Sequence, residues 1–195
     1  RIASAPSMTG ATPDLPLADL TLADSTLTYL TLAQAMADAA RPIAMRHFRQ
    51  GGAIEAKADM SPVTAADREV ESAMRGLLEK TYPTHGILGE EHGNARLDAE
   101  YVWVLDPIDG TQSFATGKPL FGTLIALARH GTPILGVMDI PALGERWVGV
   151  GGQATLFDGK PVATRPCAAL ADAWLYATSP QMFLGDDFAA FEHLR

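Results

Sequence analysis

Between Asp24 and about Arg49, Leu30, Ala33, Ala37, Ala40, Ala44 and Phe48 recur at three- and four-residue steps, so one helix face can carry them all. Asp24 and Ser25 suit its N-cap. Pro42 lacks an amide hydrogen and is expected to kink or split this helix. Lys57 to Pro62 is a polar loop. A second helix is expected from about Thr64 to Tyr82, with Val70, Met74, Leu77 or Leu78, and Tyr82 on its apolar face. Thr64 and Asp67 have the spacing of a capping box, with Asp where Glu or Gln is usual. Pro83 stops the helix.

The pattern then turns to strands. Ile87-Leu88 is a short candidate, and Tyr101 to Leu105 is nearly all apolar, as a buried strand is. Phe121 to Arg129, Ile134 to Ile140 and Arg146 to Val150 follow in quick succession. Gly131-Thr132 reads as the first hairpin turn, Ala142 to Glu145 as the next connection, and Asp158-Gly159 as a further turn. Two helices followed by a meander of strands make an α+β pattern with a largely antiparallel sheet. Residues 1–23, rich in Ala, Pro, Ser and Thr, read as a flexible lead-in to a domain over 24–195.

Composition narrows the class. The chain has 195 residues, 47% hydrophobic and 19% charged, which suits a globular fold. No apolar run approaches the roughly 18 residues of a membrane helix, and the opening residues lack the pattern of a secretory signal. Cys167 is the only cysteine, which excludes an internal disulfide and a cysteine zinc cluster. These features suit a cytoplasmic enzyme. A net charge of −8 argues against binding to nucleic acid or an anionic membrane. An acidic protein acting on an anionic substrate would need bound cations to offset its charge.

Three segments carry candidate chemistry. Asp106-Pro107-Ile108-Asp109-Gly110-Thr111 directly follows the buried strand. Pro107 stiffens the turn, so two carboxylates three residues apart can converge on a hard cation such as Mg²⁺. The Ile108 carbonyl can add an oxygen, Gly110 permits close backbone approach, and a helix starting near Thr111 would offer amides to a phosphate. Gly89-Glu90-Glu91-His92-Gly93 likewise places carboxylates after a strand. The third segment runs from Lys57 to Asp67. Taken singly, each reads more readily as an ordinary solvated turn or helix start. His47, His85, His92, His130 and His193 read as surface or packing residues.

Taken together, Lys57 with Val63-Thr64-Ala65-Ala66-Asp67, then Gly89-Glu90-Glu91, then Asp106 to Thr111 resemble the inositol-monophosphatase family of lithium-sensitive, Mg²⁺-dependent phosphatases. The resemblance covers roughly Asp24 to the C-terminus. It implies a layered αβαβα sandwich, of which this chain looks like the N-terminal portion with the C-terminal layers missing. It also implies two or three Mg²⁺ ions, with Mn²⁺ as a substitute. Glu90, Asp106, the Ile108 carbonyl and Asp109 would hold them, Asp106 bridging two. Asp67 and Thr111 would orient and help deprotonate the attacking water, with Glu90 also in the catalytic set. Amides of Gly110 and Thr111 would bind phosphate.

Ser113-Phe114 with Thr116-Gly117, Gly136 to Trp147, and Thr178-Ser179-Pro180 with Met182-Phe183 look like the histidinol-phosphate phosphatase branch. That implies hydrolysis of histidinol phosphate to histidinol and phosphate in histidine biosynthesis. The alternatives are an inositol monophosphatase or a related sugar or nucleotide bisphosphatase, and a non-catalytic cation-binding protein. The expected partner is a small phosphate ester, and family habit allows a homodimer. One departure stands out: the family's W-D-x-A motif, with a further metal-binding aspartate, is absent. Asp172-Ala173-Trp174 has the wrong order.

Overall fold

The computed structural model describes residues 24–51, 55–56, 62–177, 179 and 182–194. The expected lead-in at 1–23, the loop residues 57–61 with Lys57, and Thr178 and Pro180 lie outside the described residues. Two compact units divide the chain, Arg1–Ala163 and Thr164–Arg195.

In the first unit, α1 spans Asp24–His47 and α2 spans Ala65–Thr81. A two-stranded pair, β1 (Glu55–Ala56) and β2 (Pro62–Val63), lies between them in sequence. The expected apolar stripe of α1, from Leu30 to Phe48, is buried throughout, with Leu32 and Met36 added. Of the kink or split expected at Pro42, the split does not occur, since one helix runs through it. Pro42 and Asp38, whose carbonyl loses its amide partner, both lie on the exposed side. Water can therefore hydrate that carbonyl. At α2 the capping box forms as read: the Thr64 side chain accepts from the Ala66 amide, and Asp67 accepts from the Thr64 amide.

The remaining strands are β3 (Gly86–Gly89), β4 (Asn94–Ala95), β5 (Tyr101–Asp109), β6 (Gly122–Arg129), β7 (Thr132–Ile140), β8 (Glu145–Val150), β9 (Thr155–Phe157) and β10 (Lys160–Val162). They form one eight-stranded sheet in the order β10-β9-β8-β7-β6-β5-β3-β4. Every pairing in it is antiparallel except β3 with β5. The hairpin turn expected at Gly131-Thr132 is instead His130-Gly131, because Thr132 already pairs with Arg129. Both turn residues have positive φ, 48° and 76°, as a two-residue turn matched to strand twist requires.

Helices α1 and α2 cover one face of the sheet, α1 over β6 and β7 and α2 over β5. Trp103, Leu105, Ile125, Leu127, Leu135, Val137, Val148 and Val150 fill the interface. One charged group shares it. Asp139 is fully buried and accepts from Arg41 at 2.6 and 3.1 Å and from Arg146 at 2.8 Å, while Arg146 also reaches Asp38 at 2.8 Å. His85, read as a packing residue, is stacked between Tyr82 and Tyr101 and accepts from Trp103 Nε1 at 3.1 Å. Burial lowers its pKa below the usual imidazole value. On the other face Val104 and Met138 are more than a third exposed, beside Leu124 and Trp147.

The second unit holds a 3₁₀ turn, Leu170–Asp172, and α4, Gly185–Leu194. Phe183 stacks on Phe191 at 4.7 Å, and the Arg165 guanidinium lies over the Trp174 ring.

Candidate functional site

Side chains alternate along a strand, so residues three apart belong on opposite faces. Asp106 and Asp109 escape this through a bulge. Asp106 pairs with Leu124 and Asp109 with Gly122, so Pro107 and Ile108 together oppose Thr123 alone. The burial pattern records the phase change: Trp103, Leu105 and Pro107 are buried in alternation, and then Ile108 is buried too. Both aspartates thereby fall on the side away from the helices. The bulge frees the Pro107 carbonyl from the ladder, and the buried Thr123 hydroxyl donates to it at 2.9 Å.

After the bulge, Gly110 adopts φ 80°, and a Cβ there would lie 3.0 Å from the Leu120 carbonyl oxygen. Glycine is therefore needed for both conformation and space. A five-residue helix, α3 (Thr111–Ala115), begins at once. The Thr111 hydroxyl donates to the Ile108 carbonyl at 3.0 Å and lies 3.4 Å from Asp67 Oδ1. Asp67 is only 2% exposed and divides its two oxygens. Oδ2 takes the Thr64 amide and hydroxyl at 2.8 and 2.6 Å, while Oδ1 faces Thr111. One carboxylate thus caps α2 and reaches the loop after β5.

Glu90 follows β3 and hydrogen-bonds Asp106. Burial first, then the Glu90 charge and hydrogen bond, then the charges of Asp109 and Asp67, push the Asp106 carboxyl up to about 8. Asp106 Oδ1 is buried without a hydrogen-bond partner. The structure therefore brings Asp67, Glu90, Asp106, Asp109 and Thr111 to one place from three segments of sequence. Among the described residues no three His, Cys, Asp or Glu side chains form a ready-made metal group. Glu90 and Asp106 meet through a hydrogen bond instead, the arrangement of two carboxyls with a proton between them. The donor set is all oxygen, dominated by carboxylates, and includes one orphaned buried acceptor, so it fits a hard divalent cation.

Sequence reasoning missed Glu71. It is fully buried, and its Oε2 accepts from the Glu91 amide at 2.6 Å. Oε1 accepts from Arg75 Nε at 2.7 Å and from the His92 amide at 3.2 Å. The available signal was a charge four residues after Asp67 on the buried stripe of α2, followed four residues later by Arg75. His92 contacts Ser72 and Arg68, and His47 contacts Glu69, in the surface roles read for them. No described helix is long and apolar enough to cross a membrane.

The model of the inositol monophosphatase family matches residues 26–182. The chain is 47% identical over 169 residues to a protein of Arabidopsis thaliana named bifunctional phosphatase IMPL2, chloroplastic, covering 86% of this chain and 49% of that protein. It is 43% identical over 128 residues to a histidinol-phosphatase of Mycobacterium tuberculosis, covering 64% of this chain and 48% of the relative. The structure of an inositol monophosphatase from Zymomonas mobilis superposes with a TM-score of 0.77 at 44% identity, covering 89% of this chain and 67% of that one. The chain thus spans about half the length of the two relatives matched by sequence.

Proposed function

The chain belongs to the inositol monophosphatase family, and on that premise we infer that it carries the carboxylate site of a Mg²⁺-dependent phosphomonoesterase acting on histidinol phosphate. The observation that carries the reading is the buried, partnerless Asp106 oxygen among Glu90, Asp109 and Asp67. Glu90, Asp106, Asp109 and the Ile108 carbonyl would hold the cation. Bound Mg²⁺ supplies positive charge to the phosphate oxygens and acidity to the attacking water.

The chain's own groups do the positioning. Thr111 directs its single hydroxyl proton to the Ile108 carbonyl or Asp67 Oδ1, which leaves its lone pairs to accept from a water. Asp67 Oδ1 lies beside that hydroxyl and can take the water's proton. Its other oxygen is fixed by the cap of α2, so the base is held in one orientation. Amides of Gly110 and Thr111, at the start of α3, would bind phosphate. Water placed by Asp67 and Thr111 would attack phosphorus in line with the ester oxygen, whose bond to phosphorus breaks as that oxygen takes a proton from solvent and leaves as the alcohol, with no covalent phosphoenzyme. A trapped phosphoaspartate would refute this scheme.

The relative named histidinol-phosphatase supports the substrate. The Zymomonas mobilis structure, named an inositol monophosphatase, supports inositol 1-phosphate as the second reading. Phosphate release from both esters, with and without Mg²⁺, separates them. A Mg²⁺-dependent preference for histidinol phosphate upholds the first reading. A preference for inositol 1-phosphate replaces the substrate and keeps the site, and release that ignores Mg²⁺ overturns the site.

A further inference from the structure

We propose that Glu71 is the positioning residue for Glu90, fixing the loop after β3 so that Glu90 is held toward Asp106. The proposal rests on Glu90 being a cation ligand. Glu71 never needs to touch the cation itself. Its carboxylate is fully buried on α2 and accepts from three donors: the Glu91 amide, the His92 amide and Arg75. The two amides belong to the residues directly after Glu90, so fixing them fixes the backbone from which the Glu90 side chain departs. Arg75 donates a second time to the Gly93 carbonyl, closing the same loop from its far end.

Gly89 completes the arrangement. A Cβ at Gly89 would overlap the Glu71 carboxylate and the Arg75 guanidinium. The glycine before Glu90 is therefore the space that Glu71 occupies. A buried carboxylate with two amides and a guanidinium is fully satisfied and has one stable pose. Groups that orient metal ligands in this way change metal affinity by about 10- to 100-fold when altered.

The test compares Glu71→Gln, Glu90→Gln and Glu79→Gln, the last an exposed position on the same helix. The amide of Glu71→Gln keeps the shape but turns a donor toward donors. Mg²⁺ affinity is read calorimetrically and by the Mg²⁺-induced rise in Tm, with phosphate release measured beside them. Glu71→Gln should weaken Mg²⁺ binding about tenfold or more, raising the Mg²⁺ concentration for half-maximal activity more than it lowers activity at saturation. Glu79→Gln should leave both unchanged. A purely structural Glu71 would lower the melting temperature in EDTA and leave the Mg²⁺ constant of the folded protein alone, which would overturn the proposal. Unchanged Mg²⁺ binding in Glu90→Gln would instead overturn the ligand reading beneath it. Amide exchange in the unaltered protein needs no variant. The Glu91 and His92 amides should exchange as slowly as those in the core of α2, and fast exchange there would refute the clamp.

Discussion

Replacing Asp106 by asparagine should stabilise the metal-free protein while abolishing its response to Mg²⁺. The carboxyl titrates near 8 in the fold against 3.8 in the unfolded chain. The folded state therefore keeps a proton that the unfolded state releases, and stability falls as pH rises from about 4 to about 8. At pH 7 the cost is at most about 4 kcal/mol, at about 1.4 kcal/mol per pH unit. The carboxyl is partly open to water, and screening brings the expected cost to about 1–2 kcal/mol. Asparagine resembles the neutral carboxyl in shape and cannot ionise, so it removes this cost.

Thermal unfolding in EDTA should place Asp106→Asn about 3–6 °C above the unaltered protein at pH 7. The gap should close near pH 4 and stop growing above pH 8. With Mg²⁺ added, the unaltered protein should rise in Tm and the variant should not, and phosphate release should fall to near zero. A variant less stable than the parent in EDTA at pH 7 would refute the electrostatic argument. A retained Mg²⁺ response, or near-normal activity, would refute the ligand assignment.

The same titration requires Mg²⁺ binding below pH 8 to expel a proton; calorimetry at pH 7 in buffers of different ionisation enthalpy should give different apparent heats, and equal heats would exclude it. Thr111→Ala should reduce phosphate release less than Asp106→Asn does, since the carboxylates remain to hold the cation; equal losses on the same substrate would contradict this. Thr123→Val strips the hydroxyl from the Pro107 carbonyl and should cost about 1–3 kcal/mol by denaturant unfolding, with weaker Mg²⁺ binding as the bulge loosens. Asp139→Ala leaves Arg41 and Arg146 facing each other without their shared carboxylate and should cost about 3–5 kcal/mol by the same method.

Much of the framework was legible because local physics and burial agree there. Thr64 and Asp67 announce the start of α2, and the apolar stripe of α1 is buried as read. The strands were legible because the face that meets the helices is apolar at alternate positions, as at Trp103 and Leu105. What stayed hidden depends on pairing across the sheet or on groups distant in sequence. The spacing of Asp106 and Asp109 suggested convergence without the means, since a bulge exists only relative to β6. Pro42 is tolerated because of where water lies, which a sequence does not state. The turn at His130-Gly131 was displaced by one residue because His130 takes a positive φ that glycine usually supplies. Glu71 takes its role from amides 20 and 21 residues further along the chain, which no local pattern joins to it.

Asp67 and Glu71 stand four residues apart on the buried face of α2, so they share one helix face. Asp67 reaches the loop after β5 through Thr111, and Glu71 reaches the loop after β3 through two amides. Strands β3 and β5 are parallel neighbours, so both loops leave the same end of the sheet and meet the same helix. Turning α2 about its axis would swing both carboxylates off these loops together, because they share one face. The apolar stripe of Val70, Met74 and Leu78 opposes rotation, since turning the helix would expose it to water. The hydrophobic core thus holds Asp67 and Glu71 against the two loops.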